Sequence, residues 1–101
     1  MKNFGVYVMR RKQIEKAIAR IRLMEKRFDW LLSAWKAADL SPYFYKELRI
    51  LTRYYTCGQW LQDYTLDEAG LLPKDLKRGV LSQDAIYDFL SVFTQGEHTV
   101  D

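Results

Sequence analysis

The sequence predicts an all-α fold: a small helical bundle with a long antiparallel helical hairpin, an irregular polar segment and a C-terminal helix. Three observations carry that prediction. Apolar side chains fill two heptad registers across residues 10–38. Ser41 and Pro42 mark a fresh helix start just beyond, and a second serine-capped amphipathic stretch closes the chain. At 101 residues, 49% of them hydrophobic, the chain is long enough for one core and no more, so residues 1–101 are read as a single domain.

Residues 1–9 are expected as an N-terminal extension. Phe4 to Met9 is too short, and too soon followed by Arg10, Arg11 and Lys12, to be a secretory segment. Residues 10–38 then read as one long helix. Ile14, Ile21, Phe28 and Trp35 share one register, and Ala17, Met24, Leu31 and Ala38 share the other, with no Gly or Pro inside. Such a rod is about 43 Å long at 1.5 Å per residue. Ile18 and Leu32 widen its apolar stripe on one flank, and Leu23 and Trp30 widen it on the other. A stripe that wide suits a helix with two neighbours, and a homodimer is another way to cover it.

The second helix is expected over residues 42–56. Ser41 is an N-cap, and Pro42 occupies a first-turn position where no amide proton is needed. Phe44, Leu48, Leu51 and Tyr55 lie at helical spacing, and Gly58 is a natural stop. So short a connection predicts an antiparallel hairpin. Periodicity weakens over residues 57–81, the irregular polar segment. There Trp60, Leu61 and Tyr64 make one helical turn at most, Asp67 to Gly70 a turn, and Pro73 to Arg78 a short helix ended by Gly79. Ser82 caps the C-terminal helix, residues 82–95, with Asp84 favoured by the helix dipole and Ile86, Phe89, Leu90 and Phe93 facing inward. Residues 96–101 are a tail.

Charge is divided along the chain. Residues 1–56 carry thirteen Lys/Arg against five Asp/Glu, a net of +8, whereas residues 57–101 carry three against eight, a net of −5. The basic half could hold an acidic partner, nucleic acid included. The favoured reading is internal: the acidic half folds along the basic rod and covers its apolar side. Cys57 is the only cysteine, so no internal disulfide forms, and it is expected to be a small buried or half-buried side chain. No apolar run approaches the roughly 20 residues that span a bilayer.

Tyr54, Tyr55, Gly58 to Leu61, Asp63, Tyr64, Asp67 to Gly70 and the run Leu72 to Ser82 lead into Asp84 to Asp88. This pattern resembles an uncharacterised family of small bacterial and phage-borne proteins, domain of unknown function 4298. The specific match spans Tyr54 to Leu90. The resemblance implies a prokaryotic cytoplasmic origin, with carriage by a phage or mobile element, and little mechanism, since no activity, cofactor or active-site residue is established for the family. The basic, aromatic-rich first helix departs from the more acidic one associated with that family.

Asp63, Asp67 and Glu68 could gather on one side of a helical turn, with Asp75, Asp84 and Asp88 nearby in sequence, and oxygen donors suit Mg²⁺ or Ca²⁺. The alternate-residue spacing of an EF-hand is missing, and Lys74, Lys77 and Arg78 can pair with the same carboxylates, so no metal is expected. Leu76 to Gln83 places a glycine between two helical stretches, as a helix-turn-helix does, but Asp84 and Asp88 would repel a phosphate-lined groove. His98 lies in the tail and Cys57 sits at a helix end where no dipole activates it. No enzyme activity, cofactor or small-molecule substrate is expected.

The leading expectation is a non-catalytic protein-interaction or regulatory module in the cytoplasm. Lys74, Asp75, Lys77 and Arg78 are taken as a polar platform for a protein partner, with Asp67 and Asp84 orienting it or sharing the contact. Tyr43 and Tyr45 flank Phe44, so a helix cannot bury all three equally, and the choice there is between an aromatic contact patch and simple peripheral packing. The alternative is a nucleic-acid-binding accessory protein using Arg11, Lys12, Lys16, Arg20 and Arg27 of the first helix.

Overall fold

The heptad stripe forms one unbroken helix, α1 (Lys2–Lys36), followed by α2 (Pro42–Thr56), α3 (Gln59–Glu68), a single 3-10 turn η1 (Gly79–Leu81) and α4 (Gln83–His98). The computed structural model describes the backbone of residues 2–98 and the side chains of residues 10–94. The fold is all-α. The radius of gyration is 16.0 Å and the long axis 57 Å. A compact chain of this length would have a radius near 13 Å; the excess follows from α1, whose 35 residues span about 52 Å.

Several expected boundaries move. The presumed extension is helical from Lys2 onward, so α1 begins well before residue 10. It also ends two residues earlier, at Lys36. Ala38, expected in the core register, is exposed and left-handed at φ 56°. There the Asp39 N–H donates to the Ala34 carbonyl at 2.9 Å and the Ala38 N–H to the Trp35 carbonyl at 3.1 Å. This is a Schellman stop with alanine in the place glycine usually takes. The inner stripe keeps to Ala17, Ile21, Met24, Phe28 and Leu31 and then shifts to Ala34, because a straight helix drifts off a seven-residue repeat. The flanks differ as well. Ile18 and Leu32 pack against the core, while Leu23 faces solvent and Trp30, partly exposed, lies edge-on to Tyr43.

α2 starts as its sequence dictates, with the Phe44 N–H donating to Ser41 Oγ at 3.3 Å and Pro42 in the first turn. It runs antiparallel to α1: Arg27 meets Glu47, Trp30 meets Tyr43, and Arg20 shares Asp63 with Tyr54. The fourth buried position of α2 is Tyr54, not Tyr55, which is half-buried. Cys57 follows as the C-cap and is exposed, contrary to the expected burial. Gly58, at φ 101°, then turns the chain into α3 in a conformation that side chains resist.

The largest correction is α3 itself, ten residues of helix inside a segment expected to be irregular. Only Trp60 and Asp63 are buried along it, while Leu61 is 59% exposed, so no apolar stripe announces it. Pro73 to Arg78 forms turns rather than the expected short helix. Ser82 caps α4, accepting from the Ala85 N–H at 3.4 Å, and residues 96–98 belong to that helix. The rest of the expected tail, 99–101, lies outside the described residues. Phe89 and Phe93 seat α4 on the hairpin, with Phe89 edge-on to Phe28 and Phe93 against Phe44 and Trp35. One core cluster joins side chains from every element.

Candidate functional site

Asp63 is fully buried where α3 crosses the hairpin. Its Oδ2 accepts from Arg20 Nε at 2.9 Å and from the Tyr54 hydroxyl at 2.7 Å, and its Oδ1 pairs with Arg20 Nη2. A two-pronged guanidinium contact plus a phenol satisfies a carboxylate that would otherwise be very costly to bury. The hydrogen bond to Asp63 holds the Arg20 pKa above its ordinary value, against the opposing pull of desolvation. Burial, then the hydrogen bond to Asp63, pushes the Tyr54 phenol well above the usual tyrosine range. This knot joins α1, α2 and α3.

A second tie holds η1. The Val80 N–H donates to Glu25 Oε1 at 2.7 Å, and the Val80 carbonyl accepts from Trp60 Nε1 at 2.9 Å. One residue thereby anchors the 3-10 turn to α1 on one side and α3 on the other. Trp60 stacks on Tyr64 with centroids 5.0 Å apart. A Cβ at Gly79 would lie 2.8 Å from Glu25 Oε2, so any larger residue there would make that carboxylate shift.

The six residues expected as a partner platform are divided by the fold. Arg78 Nε donates to Asp67 Oδ1 at 2.7 Å, and its other nitrogens donate to the carbonyls of Pro73, Lys74 and Leu76. Arg78 and Asp67 therefore shape the loop between α3 and η1. Lys74, Asp75 and Lys77 are exposed on that loop, and Asp84 is exposed in the first turn of α4. Of the five basic residues assigned to nucleic acid, Arg20 is held by Asp63 and Arg27 by Glu47, at 3.2 Å. Arg11, Lys12 and Lys16 are exposed on α1. Among the described residues, no group of three His, Cys, Asp or Glu side chains is gathered, and no helix is long and apolar enough to cross a membrane.

A feature the sequence reading missed lies on the other side of α2. An open groove of about 1210 Å³ runs between α2 and α4. Leu48, Leu90 and Phe93 form its inner wall, and Tyr45 and Val92 stand exposed at its edges. Lys46, Arg49 and Arg53 of α2 line it, and among the described residues no carboxylate does. None of those three cations is in an ion pair among the described residues. Their spacing of three and then four residues places them along one strip of α2, the signal that could have drawn attention to them.

No curated protein matches this chain, and no solved structure does. One family model does match, across residues 11–96, and so takes in the hairpin, the Asp63 knot, the η1 anchor and both walls of the groove. By that match the chain belongs to the family described as domain of unknown function DUF4298.

Proposed function

We propose that the protein is a non-catalytic protein-interaction module of the cytoplasm whose contact surface is the open α2–α4 groove. One observation carries the reading: apolar side chains and three cations that join no ion pair among the described residues share this concave face. Such faces are characteristic of contact surfaces, in which an apolar centre excludes water and a charged rim sets orientation. Exposed Lys74, Asp75 and Lys77 offer a second point of contact on the far loop.

The test is affinity capture with the full chain in its native host. Val92→Glu puts a charge on the exposed edge of the groove and should abolish capture of the partner, while Lys74→Ala/Lys77→Ala should leave it in place. Loss with the loop variant alone would move the contact to the loop. Failure of the unmodified chain to capture any protein would refute the module reading. Nucleic-acid binding is the second reading, favoured by the exposure of Arg11, Lys12 and Lys16 on α1. It requires salt-sensitive retention on heparin that Arg11→Glu/Lys12→Glu removes.

A further inference from the structure

We infer that the α2–α4 groove receives a negatively charged amphipathic helix of a partner protein. The inference rests on the interaction reading above and adds the chemistry of the occupant. Charge comes first. Lys46, Arg49 and Arg53 lie beside the apolar wall, and among the described residues no carboxylate lines the groove with them. A neutral occupant would strip water from these cations without replacing it, and a basic one would add repulsion. Carboxylates meet both costs and steer the encounter.

Spacing comes second. At 1.5 Å per residue the three cations sit about 4.5 Å and then 6 Å apart along α2. Carboxylates three and four residues apart on a partner helix reproduce those intervals. Same-face positions on a strand recur every 6.6–6.8 Å or so and do not.

The groove walls are helices, whose backbone groups are already paired along their own axes. An extended peptide would find no sheet edge to join, whereas a helix brings its own hydrogen bonds. The apolar wall of Leu48, Leu90 and Phe93 would gain nothing from phosphates, which separates this face from the exposed cations at the start of α1.

The experiment is an NMR titration of the ¹⁵N-labelled full chain. The probe is a synthetic peptide of about 16 residues, long enough to be helical, with leucines on one face and glutamates along both flanks. Controls are a scramble of the same composition, a version with lysine for glutamate, and heparin. The acidic peptide should shift amides of residues 46–56 and 90–94, and both control peptides should bind at least about tenfold more weakly. Arg49→Glu/Arg53→Glu should cost a similar factor with the melting temperature unchanged, and Lys74→Ala/Lys77→Ala should cost nothing.

Equal binding of either control peptide, shifts centred elsewhere, or no binding would overturn the inference. So would stronger shifts of the same amides by heparin, or concentration-dependent shifts with no peptide, which would mark a second copy as the occupant. In the capture experiment, a partner lost with Val92→Glu yet kept with Arg49→Glu/Arg53→Glu sinks this inference alone. Capture of nothing sinks the module reading beneath it.

Discussion

Where α3 and η1 meet the hairpin, charged side chains drawn inward are matched by groups far away in the chain. Asp63 is met by Arg20 across 43 residues, and Glu25 by the Val80 amide across 55. On the α2–α4 side, Lys46, Arg49 and Arg53 run in one strip beside an apolar wall and, among the described residues, join no ion pair. The contrast separates two uses of charge in one small domain. Paired and buried charge fixes how the back half sits on the front half, while the cations beside the apolar wall stay at the surface. The net charge of the halves could not make that distinction, since Arg20 and Arg49 count equally in it.

Breaking the inner side should cost the most. Asp63→Ala leaves the Arg20 guanidinium and Tyr54 hydroxyl without their partner, and urea denaturation should show a loss of about 3–5 kcal/mol. Gly79→Ala tests the second tie. The new methyl crowds the Glu25 carboxylate that takes the Val80 amide, and the expected loss is about 1–3 kcal/mol. A destabilisation under about 0.5 kcal/mol, within the scatter of ordinary surface substitutions, would mean that the carboxylate moves aside freely.

A pH series sharpens the comparison further. The Tyr54 pKa is raised in the folded state, so above about pH 10, the ordinary tyrosine value, the unfolded chain releases a proton that the folded chain keeps. Stability present below that pH must then fall as pH rises, by about 1.4 kcal/mol per unit for this one group. Tyr54→Phe should be less stable at neutral pH and should lose that part of the alkaline slope. An unchanged slope would show that Tyr54 is not held protonated by the knot.

Much of the fold was legible because apolar spacing encodes it. The stripe from Ala17 to Leu31, the Ser41 and Pro42 start and the Ser82 cap all act locally, within a turn or two of chain. α3 was not legible, because half of what it buries is an aspartate, and no apolar period can reveal a buried carboxylate. Its partner left a trace: Arg20 and Arg27 share one heptad position beside the stripe, where charges reach across to a neighbouring helix. Which carboxylate each would meet depended on the path of the chain between them. The polar run from Pro73 to Ser82 looked like a contact surface because it is rich in charge. Arg78 shows that such a run also serves the fold, since it spends its donors on Asp67 and the loop's own carbonyls. The groove escaped notice because its walls come from helices far apart in sequence.

The claim at the centre is that the Arg20–Asp63 pair fastens the acidic back half to the basic rod. A double-mutant cycle with Arg20→Ala and Asp63→Ala, read by urea denaturation, measures that fastening directly. The structure predicts a coupling of about 2–3 kcal/mol, the upper end for groups sharing one network. Additive losses, with a coupling below about 0.5 kcal/mol, would contradict it.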